Sequence, residues 1–402
     1  MLGNRNWSGK RQSEARIENV AAAAMDLSLI LLIPAEMILG LVAWNVFAWP
    51  KVRDLAAFHP NSVSVLIPAR NEELHLPACL EAILRQGETV AEILVYDDHS
   101  TDATARIIRD YAARDGRVRL LGGAALAEGW CGKNFACAQL AGAAQSEWLL
   151  FLDADARLAD GAAARMVEET MARSLTLLSC WPGLALAGFW EKTLMPMLNF
   201  VVFTLYPAPL SLRRNDASLG LAHGACLLAH RASYEAVGGH ALVRDQIFED
   251  TRLEQLWRAS GRRGLCLDGQ GVVSVRMYGS LGEIWRGFQK NFFPAFRREA
   301  SFWAFLALHA VIFLSPFVLF AWSANAAIAA ACVLAARALL AARFHHSWWP
   351  ILFHPLSEAV LIAIGLSSWW RCKSGKGVAW KGRVYHSSEA GRAGGATRAD
   401  GA

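Results

Sequence analysis

Charge is what this sequence has least of. Only 19% of its 402 residues are Asp, Glu, Lys or Arg, while 54% are hydrophobic; ordinary soluble domains carry roughly 25% charge. The net charge of +5 is too small to argue for nucleic acid. The basic residues also form no aromatic-interleaved stripe of the kind a nucleic-acid groove needs. They gather beside the apolar segments, which points to a membrane surface. The eight cysteines contain no C-x-x-C pair, which argues against a zinc ribbon or a thioredoxin-type site. A disulfide framework does not suit a chain of this length, so the thiols are read as reduced, mostly small core residues in a cytosol-facing protein. A P-loop is also missing. Around Gly132-Lys133 the pattern demands Gly at position 127 and Ser or Thr after the lysine, where the chain has Ala127 and Asn134.

What the chain does have is long apolar runs. Leu27–Trp49 is interrupted mainly by Glu36 and Asn45 and has the roughly 20-residue length that crosses a bilayer, longer than a signal-peptide core. Phe302–Trp322 and Trp348–Trp370 are further candidates, the latter with Trp at both ends, as interfacial residues sit. Ala326–Ala342 is weaker because Arg337 lies inside it, and is expected to be partly interfacial. The chain therefore divides into a basic N-terminal segment (1–26), an anchor (27–49), a central domain (60–298), C-terminal membrane helices (302–370) and a basic tail (371–402), expected to be disordered from Ser387 on. Arg371, Lys373, Lys376, Lys381 and Arg383 in that tail favour the cytoplasmic side.

The central domain alternates short β-rich runs with longer helical ones. Val63–Ile67, Ile93–Tyr96, Val118–Leu121 and Trp148–Leu152 read as strands, separated by helices near 74–86, 103–113 and 134–144 and followed by one at 162–173. That alternation predicts an α/β domain built on a doubly wound parallel sheet, with ligands outside the carboxyl ends of the strands. Polar clusters fall at those ends: Pro68-Ala69-Arg70-Asn71-Glu72, then Asp97-Asp98-His99-Ser100, then Asp153-Ala154-Asp155. One acidic cluster after a strand is usually a helix N-cap. Three at one edge, two of them with paired aspartates, call for a cation or polar ligand, because neighbouring carboxylates otherwise repel. Asp153 and Asp155, two residues apart, can share a hard divalent cation with phosphate oxygens.

With these motifs the sequence resembles the family 2 glycosyltransferases of the type-A fold. The matching features are I-P-A-R-N-E (67–72), D-D-H-S-T-D (97–102), D-A-D (153–155) and F-E-D (248–250), in the family's order. G-W-C-G-K-N-F-A-C (129–137) and the stretch from Trp285 to Asn291 look like the hopanoid-associated and carotenoid-acid glycosyltransferases. The resemblance implies a nucleotide-binding domain flanked by transmembrane helices in the inner (cytoplasmic) membrane, with its catalytic domain in the cytoplasm. The implied donor is a nucleotide-diphosphate sugar, with a UDP-sugar first among the possibilities, and the implied acceptor is lipid-like. By the same resemblance, Pro68, Ala69, Arg70, Asn71 and Glu72, with Asp97 and Asp98, face the donor. Asp153 and Asp155 bind Mg²⁺ or Mn²⁺, Lys133 and Lys290 touch the phosphates, and Asp250 is the general base. Glu249, Trp285 and His223, which precedes the apolar run 225–229, are expected on the acceptor side. The Q-x-x-R-W element common in the family is replaced by Gln289-Lys290-Asn291 after Trp285, which weakens a processive-polymerase reading.

Plainer readings stand beside these. Lys133 could be a solvated loop lysine, and His223 a structural histidine. Glu249-Asp250 could merely open a helix through favourable dipole placement. The apolar, proline-containing segment Phe189–Leu212 could guide a lipid or simply pack. The mixed aromatic and basic run from Trp285 to Arg298 suits an amphipathic helix at the headgroups. Transfer to a polyprenyl phosphate or a short polysaccharide, and nucleotidyl transfer with release of pyrophosphate, are the alternative chemistries.

Overall fold

Asn45, the polar residue inside the first apolar run, has three backbone partners in the computed structural model. Its amide donates to the carbonyls of Phe203 and Tyr206 at 2.8 and 2.7 Å and accepts from Ala208 N–H at 2.9 Å. It thus satisfies a helix end and a helix start that would otherwise be buried without partners. The structure describes residues 28–54, 58–296, 298–389 and 392–398; the basic segment 1–26 and Leu27 lie outside them. The first helix, α1 (Ser28–Ala48), is docked on the central domain at its end. There the Trp49 indole donates to Cys266 O at 3.0 Å, and Val52 N–H to Asp268 O at 2.9 Å.

The central domain follows in the order β1 (Val63–Ala69), α2 (Leu76–Leu84), β2 (Val90–Asp97), α3 (Thr104–Ala112), β3 (Val118–Gly122), α4 (Gly132–Ala143), β4 (Trp148–Leu152), β5 (Ala156–Leu158), α5 (Ala162–Ala172), β6 (Leu177–Trp181) and β7 (Gly183–Leu184). Three short helices, α6 (Phe189–Leu194), α7 (Met197–Phe203) and α8 (Ala208–Arg213), lead to β8 (Cys226–His230), α9 (Arg231–Val237), α10 (Glu249–Ala259), β9 (Gly264–Asp268), β10 (Val273–Val275) and α11 (Leu281–Asn291). The main sheet has the order β3-β2-β1-β4-β8-β6-β9. β1 is apolar on both faces because both are covered: Val63, Val65 and Ile67 pack with α2 and α5, while Leu66 packs with α4 and Trp257 of α10. One strand departs from the expected parallel sheet. β8 runs antiparallel to both β4 and β6. It is reached through the α6–α8 segment rather than a simple strand–helix–strand crossover, and its apolar run reads alike in either direction.

Beyond α11 come α12 (Glu299–Leu308), a π-helical turn (His309–Leu314), α13 (Ser315–Leu319), α14 (Ala324–Arg343) and α15 (His354–Lys373). Four helical stretches, Ser28–Ala48, Glu299–Leu319, Ala324–Arg343 and Trp349–Lys373, are long and apolar enough to cross a membrane. Their exposed residues include Met37, Phe47, Val318, Leu352 and Trp370, an outward apolar surface that lipid would cover. Ala324–Arg343, expected to be the weakest of the runs, is a continuous 20-residue helix of spanning length, with Arg337 turned inward over the Phe200 ring. A three-stranded antiparallel sheet, β11 (Val378–Trp380), β12 (Arg383–Glu389) and β13 (Arg392–Arg398), closes the described chain where the sequence suggested a disordered tail.

Candidate active site

The carboxyl ends of β1 and β2 are laced into one platform. Asn71 N–H donates to Ser100 Oγ at 2.9 Å, Thr101 N–H returns a bond to Asn71 Oδ1 at 2.8 Å, and Glu72 N–H donates to Thr104 Oγ1 at 2.8 Å. Asn71 and His99 both sit at φ 53°, a left-handed conformation uncommon outside glycine that clusters at ligand sites. Arg70 spans the two loops, with Nη1 2.5 Å from Asp98 O. The two adjacent aspartates separate here. Asp98 lines the main cavity, while Asp97 Oδ1 turns back to accept from Ser100 N–H at 3.2 Å.

The third acidic cluster follows β4, fixed by Asp153 N–H donating to Ala225 O at 3.1 Å. Lys133, in the first turn of α4, reaches across to it. Its ammonium is 2.9 Å from Asp153 Oδ1 and 2.9 Å from Glu249 Oε1, which excludes the reading of a merely solvated lysine. Asn134, the residue that breaks the P-loop pattern, ties α4 to the segment before Glu249 by donating to Val243 O at 2.6 Å and Gln246 O at 2.9 Å. The sequence reading missed that positioning role, although an Asn at a helix start is a fair signal for a backbone tether. Asp250, in the first turn of α10, accepts from Gly224 N–H and Thr251 N–H, both at 2.7 Å. Burial, then the charge of Glu249, pushes its carboxyl up to about 7. His223 stacks edge-on against Trp181 with ring centroids 5.1 Å apart, and burial lowers it to about 4, so its imidazole is neutral at physiological pH.

These groups share one cavity of about 780 Å³. Pro68, Ala69, Arg70, Asn71, Glu72, Asp98, Lys133, Asp153, Asp155, His223, Glu249, Asp250 and Lys290 all line it. Trp285 is not among the lining residues, although its neighbours Arg286 and Phe288 are. Burial lowers the Lys290 ammonium to about 8. The lining also includes apolar side chains, among them Met197, Val201, Val202, Phe296, Phe305 and Ile364. Two further lining residues, Lys381 and Arg383, come from the basic tail. In the sequence they read only as positive charge beside a membrane helix.

Among the described residues, no three His, Cys, Asp or Glu side chains converge as a cage for a metal ion. The pair Asp153 and Asp155 nevertheless fits a hard divalent cation that keeps most of its shell for phosphate and water oxygens. Asp155 is pushed up to about 7 by burial and then by Asp153, a repulsion that a cation between the two would relieve.

The comparisons with known proteins agree with this architecture. The family model described as glycosyl transferase family 2 matches residues 64–238. A 4,4'-diaponeurosporenoate glycosyltransferase of Staphylococcus haemolyticus is 33% identical over 270 residues, covering 65% of this chain and 67% of the relative. The protein of the same name from Staphylococcus aureus strain USA300 is 26% identical over 273 residues, covering 64% and 68%. A mannosyltransferase from Pyrobaculum calidifontis, solved with GDP-Man and Mn²⁺, aligns with 88% of this chain and 99% of its own at a TM-score of 0.51 and 21% identity, a likeness of fold. The sheet with its three acidic strand ends, the matched family model and a relative one third identical lead to one assignment: the chain is a glycosyltransferase of type-A fold and belongs to glycosyltransferase family 2.

Proposed function

We propose that the chain transfers a sugar from a nucleotide-diphosphate sugar, a UDP-sugar foremost, to a lipid-like acceptor at the cytoplasmic face of the inner membrane. The observation that carries this reading is the mixed lining of the cavity: the strand-end acids share it with apolar side chains of α7, α12 and α15. Such a cavity suits a long apolar molecule that presents one polar group to a charged donor. The carotenoid-acid acceptor named for the Staphylococcus relatives supports this class, in which a carotenoid or hopanoid would fit.

In this reading the acceptor oxygen attacks the anomeric carbon while the bond from that carbon to the diphosphate oxygen breaks. The nucleoside diphosphate leaves with the bonding electrons. Asp250 takes the proton from the acceptor hydroxyl, and Gly224 N–H and Thr251 N–H hold its carboxylate in place. Lys133, fixed by Asp153 and Glu249, and Lys290 supply positive charge near the leaving group. Asp153 and Asp155 would hold Mg²⁺ or Mn²⁺, which supplies neutralisation of the diphosphate when bound. The test is to incubate the full chain in detergent with Mn²⁺, radiolabelled UDP-glucose or GDP-mannose, and a membrane lipid extract. Label moving into an organic-phase lipid is the expected result. Label confined to a water-soluble polymer, or release of pyrophosphate instead of nucleoside diphosphate, overturns the reading.

A further inference from the structure

The hairpin that follows the last long helix enters the donor end of the cavity. Trp380 pairs with Arg383 across a two-residue loop, and both loop residues have positive φ, 44° at Lys381 and 76° at Gly382. Two positive φ values in a two-residue loop make a type I′ turn, whose twist suits the hairpin but which a lysine adopts only at a cost. The tip is held from the domain side: Arg70 Nε donates to Lys381 O at 2.8 Å. From it, Lys381 pairs with Glu72 and Arg383 with both oxygens of Asp98, one of them at 2.7 Å. The domain has made room for this contact. A Cβ on Gly132 would stand 2.8 Å from Asp98 Oδ2 and would overlap the Arg383 guanidinium.

Resting on the nucleotide-sugar reading above, we propose that Lys381 and Arg383 are donor-binding residues that the tail supplies to the diphosphate. Nine acidic side chains and six lysines or arginines line the cavity among the described residues. Two of those six cations belong to the hairpin, and Lys133 is already committed to Asp153 and Glu249. Cations from the hairpin would add to Lys290 and the divalent ion in offsetting the repulsion between that wall and a diphosphate. The present pairs prepare an exchange. When the donor's base and ribose take the oxygens of Glu72 and Asp98, the two freed cations turn to the phosphates, and no buried charge is left unpaired.

The test measures binding of UDP and GDP, each with Mn²⁺, to the full chain in detergent by calorimetry, with uridine and guanosine as controls that lack phosphate. For the diphosphate that the wild type binds, Lys381→Ala combined with Arg383→Ala should weaken affinity by roughly 10- to 100-fold, while nucleoside affinity holds or improves. The charge-keeping pair Lys381→Arg and Arg383→Lys should retain most diphosphate binding. If the double alanine variant does not survive purification, Lys381→Met alone applies the same discrimination at smaller size. Unchanged diphosphate affinity reduces the hairpin to a passive contact, and tighter affinity makes it a plug; either overturns the proposal. A wild type that binds neither diphosphate overturns the donor reading itself, a separate outcome.

Discussion

The ammonium of Lys133 lies 2.9 Å from one carboxylate oxygen of Asp153, so one of the two acids assigned to a cation already carries a compensating charge. A divalent ion arriving with the donor would share Asp153 with that lysine and relieve Asp155, which makes no ion pair among the described residues. Asp153→Asn or Asp155→Asn should therefore abolish transfer and remove the Mn²⁺-dependent part of nucleotide binding. Sugar transfer with each variant, and with the wild type in excess chelator, checks this. Full activity without added Mg²⁺ or Mn²⁺ refutes the assignment.

Asp250 gives a pH dependence whose sign is fixed. A base acts only when deprotonated, and burial with Glu249 holds this carboxyl up at about 7, so kcat/KM should fall as pH drops through that value. Asp250→Asn should lower turnover by roughly 10²–10⁴-fold with donor affinity little changed. Its stability moves the other way. A carboxyl raised in the folded state disfavours folding increasingly as pH climbs from about 4, its unfolded value, to about 7. At pH 8 the asparagine variant should therefore melt no lower than the wild type. A variant that melts lower yet keeps its turnover would leave Asp250 only its helix-end role.

The apolar part of the cavity lining predicts a separation of substrates. Val201, on α7, belongs to that lining. Val201→Trp should raise the acceptor KM about tenfold or more, since it fills space a long apolar molecule needs. Nucleoside diphosphate affinity should stay within about twofold. Equal loss of both would place Val201 in general packing and remove the acceptor assignment for that lining.

Orientation is open to a direct measurement. A reporter inserted at an exposed loop between Pro60 and Lys290 should read as cytoplasmic, where nucleotide sugars are made and where eight free cysteines stay reduced. A strong signal from the opposite side of the membrane would sink both the orientation and the donor.

The first half of the domain was legible because its signals are local. Short apolar runs located β1, β2, β3 and β4 to within a few residues, and the polar clusters after β1, β2 and β4 located the acids. Three features were not legible, each because it depends on contacts far apart in sequence. The direction of β8 follows from the path of α6–α8, not from the composition of Cys226–His230. Asp98 is seated by the β1 loop, its N–H donating to Ala69 O at 2.8 Å and its carbonyl accepting from Arg70 at 2.5 Å, while Asp97 turns back on its own loop. Lys381 and Arg383 meet acids some three hundred residues earlier in the chain, and no periodicity marks such a meeting.

That meeting also counts passages through the bilayer. The chain leaves the catalytic domain at Phe296 and is back against Glu72 at Lys381, on the same side of any membrane it has entered meanwhile. A path that starts and ends on one side crosses an even number of times. Three stretches of spanning length lie between those points. At most two of them pass through, so at least one long apolar helix must lie along the domain or in the interface instead.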